Sequence, residues 1–97
     1  MSRSLVERRL IEVSSRLKQA REELCIIDEQ LAVLSEAADG ARIRALVSET
    51  PLADREHLEA RKHSDAMARS RAAVVASINE LEGTQGRLLD QLVVEPR

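Results

Sequence analysis

Apolar residues recur every seven positions through the first forty residues of this chain, in two interleaved series. Leu10, Leu17, Leu24, Leu31 and Ala38 form one series. Val13, Ala20, Ile27 and Leu34 follow its first four members by three residues, and Val6 extends this second series upstream. Alternating steps of three and four put all of these side chains on one stripe of an α-helix, whereas a strand would scatter them over both faces. The pattern predicts a long helix over 5–38 that packs along its whole length against another helix.

A second periodic segment begins at Thr50-Pro51. Thr is a favoured N-cap, and Pro at the first helical position loses no hydrogen bond, because that N–H has no partner in any helix. Asp54 and Glu56 place negative charge in or near the first turn, where the helix dipole favours it. Met67, Val74, Leu81 and Leu88 are seven apart, with Ser64, Arg71, Ile78, Gln85 and Leu92 as the interleaved series and Ala60 extending the pattern toward the tip. The prediction is a helix over 51–92, with Gly83 and Gly86 as a soft spot or a place of close helix approach, and Val94-Glu95-Pro96-Arg97 as a frayed end.

Asp39-Gly40 is a stop signal, since glycine is the usual residue where a helix ends in the left-handed conformation. We therefore expect a tip over 39–50 that contains a short helix over 41–48. That tip is longer than the roughly 2–5 residues a simple αα-hairpin needs. Ile43, Leu46 and Leu52 are expected to cover the open end of the seam.

Folding the chain back on itself about Glu49 sets residues opposite each other whose numbers sum to about 98. Leu10 then faces Leu88, Leu17 faces Leu81, Leu24 faces Val74, and Leu31 faces Met67. Ala20 faces Ile78, Ala38 faces Ala60, and Val6 faces Leu92. Two layers are mixed: Val13 with Gln85 and Ile27 with Arg71. Charge follows the same register. Residues 3–21 hold six basic and two acidic groups against four acidic and one basic in 77–95. Residues 22–39 hold six acidic and no basic groups against four basic and two acidic in 59–76. Each exposed pair is worth little, but together they specify an antiparallel register. The fold expected is all-α: a single-domain, coiled-coil-like antiparallel hairpin. Leu5, Ile11, Ile26, Val75, Leu89 and Val93 widen the apolar stripe beyond a strict seam, which favours dimerisation into a four-helix assembly or docking on a larger partner.

Composition excludes several functions. Phe, Tyr and Trp are absent and the formal charge is -2, so there is neither a stacking platform nor a global basic field for nucleic acid. Direct nucleic-acid binding is not favoured, although Arg3, Arg8, Arg9, Arg16, Lys18 and Arg21 make one end locally basic. No apolar run is long enough to span a membrane. The lone Cys25 cannot form an internal disulfide, and with no leader-like segment the expected location is cytoplasmic.

No constellation for catalysis, cofactor or metal is visible. His57 and His63 are six apart, which is not the i,i+3 or i,i+4 spacing of a helical metal pair. Cys25 reads as a small hydrophobe at the edge of the stripe, and Glu22, Glu23, Asp28 and Glu29 as a solvated acidic face. The expectation is a non-enzymatic protein–protein interaction or adaptor module, with Arg42, Arg44, Glu49, Asp54 and Arg55 at the tip as partner-binding residues. A regulator docking by its tip or basic end on RNA polymerase or the ribosome, and a structural coiled-coil protein, are the alternatives.

Overall fold

A computed structural model describes residues 2–93. It contains two α-helices, α1 (Arg3–Ser48) and α2 (Pro51–Val93), which form an antiparallel hairpin. Met1 and 94–97, including the expected frayed end, lie outside the described residues. Contacts divide the hairpin into two compact units. Among the described residues, one comprises 2–24 with 74–93, and the other Cys25–Ala73.

In the first unit Ser2 caps α1. Its Oγ accepts the Leu5 N–H at 3.2 Å, and its carbonyl accepts the Val6 N–H at 3.0 Å. The helix thus starts two residues before the expected position, because the hydroxyl at Ser2 satisfies an N–H that has no intrahelical partner. Val6, Val13 and Leu88 are buried together, with Leu10, Leu81 and Leu92 packed on them. Leu17 is the most enclosed side chain, 1% exposed, and Ile78 is also buried. Where Gln85 interrupts the seam, its Nε2 donates to Ser14 Oγ at 3.2 Å, so the amide leaves the apolar layer and is satisfied at its edge.

In the second unit Ile27 is buried, and Arg71 answers it as the mixed layer requires. Its guanidinium reaches past the seam and donates from Nε to Asp28 Oδ1 at 2.6 Å. Ser35 Oγ and Ser64 Oγ are 3.3 Å apart across the helices. The pairs Ser14–Gln85, Asp28–Arg71 and Ser35–Ser64 each sum to 99, within one residue of the predicted register.

The expected break at Asp39-Gly40 does not occur. Gly40 keeps a helical backbone, and α1 runs on to Ser48, so 41–48 is the end of α1 and not a separate short helix. The physical reason lies in the seam. Ala41 and Ala45, seven beyond Leu34 and Ala38, are 3% and 8% exposed. Continuing the helix buries both, whereas one interior glycine costs only about 1 kcal/mol relative to alanine. The tip shrinks from 39–50 to the two residues Glu49 and Thr50. Ile43, Leu46 and Leu52 do not cover the seam: they are 54%, 66% and 60% exposed, and alanines fill the last layers instead.

Candidate functional site

The turn is closed by one cap from each side. Glu49 adopts the left-handed conformation, φ 52°, and its N–H donates to the Ala45 carbonyl at 3.1 Å, which ends α1. Thr50 then caps α2. Its Oγ1 accepts the Ala53 N–H at 3.1 Å, and its carbonyl accepts the Asp54 N–H at 3.1 Å, with Asp54 in the first turn as anticipated. Two residues suffice because each one satisfies helix-end groups as it reverses the chain.

This turn holds apolar side chains in solvent. Ile43, Leu46, Val47 and Leu52 flank it, and none is covered by the second unit's own residues. The five tip residues expected from the sequence, Arg42, Arg44, Glu49, Asp54 and Arg55, are all exposed. No ion pair joins any of them to another described residue. Glu49 serves the turn and Asp54 the start of α2. Arg44 extends back over Gly40, where an added Cβ would lie 3.4 Å from its Nη1.

Arg42 has different company. On the flank of the seam marked by Asp28–Arg71 and Ser35–Ser64, it lines a cleft of about 380 Å3 with Asp39 and Ser35 from α1, and His57, Arg61 and Ser64 from α2. The sequence spacing only excluded His57 from a helical metal pair with His63 and gave Arg61 no role. The structure makes His57 half-buried. The signal was present: the rule that set Ala38 opposite Ala60 also sets position 41 opposite 57, on the seam.

The opposite flank of this unit is apolar. Val33, Leu34 and Met67 form a groove rimmed by Glu29 and Gln30. It is continued by Leu34, Ala37 and Ala60 beside Glu59 and His63. His63 Nε2 lies 3.8 Å from Glu59 Oε1, an exposed contact. The first unit has a cleft of mixed charge instead, with Arg9, Arg16, Glu12 and Glu80 around a floor that includes Val13. Its basic end is partly neutralised, by Arg3–Glu7 at 3.2 Å and Arg21–Glu82 at 2.9 Å. Cys25 is exposed, as are Ile11 and Ile26.

Among the described residues, no group of three or more His, Cys, Asp and Glu is placed to hold a metal ion, and no helix is long and apolar enough to cross a membrane. Fold and surface together define a small all-α hairpin module with large apolar side chains exposed on its surface. No family model, curated protein or solved structure matches the chain.

Proposed function

We propose that the chain is a non-enzymatic protein–protein interaction or adaptor module that recognises a partner through its tip. The observation that carries this reading is the exposure of Ile43, Leu46, Val47 and Leu52 around a turn with caps on both sides. Clustered apolar side chains in solvent mark contact surfaces, and a well-ordered presenting element lowers the entropy cost of docking. Arg42, Arg44 and Arg55 supply a charged rim.

The test is an affinity pull-down at low and high salt, comparing the native chain with Leu46→Asp and with the Arg42→Ala, Arg44→Ala pair. The expected result is a partner held by the native chain, lost with Leu46→Asp and weakened by the arginine pair. Equal recovery by all three rejects the tip as the recognition surface. Subunits of RNA polymerase or the ribosome among tip-dependent partners would make the module a regulator of that machine.

A second contact has its own support. The groove of Val33, Leu34 and Met67 leaves apolar surface open on a flank away from the Asp28–Arg71 pair. A second copy of the chain packed there would give a four-helix dimer.

A further inference from the structure

Two of the arginines that face across the helices in this hairpin are matched with carboxylates. Arg21 meets Glu82 at 2.9 Å, a pair whose numbers sum to 103, and Arg71 meets Asp28 at 2.6 Å. Arg42 and Arg61 have the same sum as Arg21 and Glu82, and whole heptads separate Arg42 from Arg21 and Arg61 from Glu82 in the sequence. There the opposite helix supplies a second arginine, and both line one cleft. Neither makes an ion pair or a side-chain hydrogen bond with any other described residue. Asp39 shares the cleft but forms an ion pair with neither guanidinium. His57 and the Ser35–Ser64 hydroxyl pair complete the lining. Like charges set opposite each other weaken a helix interface unless an anion joins them.

We propose that the Arg42–His57–Arg61 cleft is an anion site that takes a phosphate monoester group. The donor set selects this chemistry. Two guanidinium forks, an imidazole and two hydroxyls offer more hydrogen bonds than one carboxylate can accept. A phosphate monoester brings three acceptor oxygens and a charge of about -1.5 to -2, which answers both arginines at once. Guanidinium suits such an anion because its parallel N–H groups bind two oxygens together. The inference rests on the tip reading for its biological setting, since it names what a partner presents beside the tip, but the binding itself needs no partner.

The test is a titration of the full chain with inorganic phosphate at constant ionic strength, followed by backbone amide and arginine side-chain NMR signals. Saturable shifts confined to 35–42 and 57–64 are expected. Arg42→Gln or Arg61→Gln should weaken binding at least about tenfold, and Asp39→Asn should tighten it. Arg61→Glu places a carboxylate where Glu82 stands relative to Arg21. That variant should melt at a higher temperature than the native chain without phosphate, and its Tm should no longer rise when phosphate is added. O-phosphoserine is the second probe. Tighter binding than inorganic phosphate identifies a phosphorylated side chain as the source, and equal binding identifies free phosphate; both support the site. Acetate bound as tightly as phosphate overturns the ligand class. Shifts that do not saturate, or binding unchanged in Arg61→Gln, overturn the site itself. A failure here leaves partner recovery by Leu46→Asp free to decide the tip reading separately.

Discussion

At the scale of single residues, the turn is where local conformation and chain reversal meet. Glu49 holds a left-handed φ without being glycine, a conformation that costs an L-residue about 1–2 kcal/mol. Glu49→Gly removes that strain but loosens the unfolded chain, so the expected gain is about 0.5–1 kcal/mol. Glu49→Val should lower stability by at least about 1 kcal/mol, because a β-branched side chain tolerates this region worst. Thr50→Ala removes the cap on Ala53 and should cost about 1 kcal/mol. Urea denaturation of the three variants checks the set. Equal midpoints for Gly and Val at position 49 would show that the turn does not hold this geometry in solution. Thr50 was legible in the sequence because a Thr-Pro pair signals a helix start by local chemistry alone. Glu49 was not, because nothing about glutamate announces the left-handed region.

At the scale of the elements, each helix owes its length to the seam. Burying a leucine contributes about 1.5–3 kcal/mol, and Leu17 is nearly fully enclosed. Leu17→Ala should therefore cost about 2–5 kcal/mol, read as a fall in thermal or denaturant midpoint. A loss below 1 kcal/mol would mean that this layer is not packed. The glycines of α2 point the other way. A Cβ added at Gly86 meets nothing within 4 Å, and one at Gly83 meets only the end of the Arg87 side chain at 3.5 Å. Of the two roles expected for them, close helix approach is thus absent at Gly86. Gly86→Ala should raise stability by about 1 kcal/mol, and an unchanged or lower midpoint would contradict its helical setting. Gly40 misled the reading of α1 for a related reason. Its stop signal is local, and Ala41 and Ala45 continue the heptad with residues that are neutral as evidence of burial.

At the scale of the whole molecule, the two units differ in what they leave exposed. Among the described residues, seven of the eleven large exposed apolar side chains belong to the Cys25–Ala73 unit. If a second copy fills the Val33 groove, light scattering should give about twice the monomer mass of 10.8 kDa. Val33→Asp should return the monomer, while Ile11→Asp in the other unit should not. A monomer for the native chain would remove the second-copy reading and leave the groove to another partner.

The sequence by itself determined the helical class, the antiparallel register and the start of α2. These follow from period, charge order and capping chemistry, all of which are carried by residue spacing. Tertiary packing alone decided that α1 passes through Gly40, because the gain from burying Ala41 and Ala45 depends on α2 lying opposite. The same packing left Ile43, Leu46 and Leu52 in solvent, and it set Arg42 facing Arg61 with His57 beside them. Spacing along one helix records which residues share a face. Only the pairing of two helices decides which faces are covered and which charges meet.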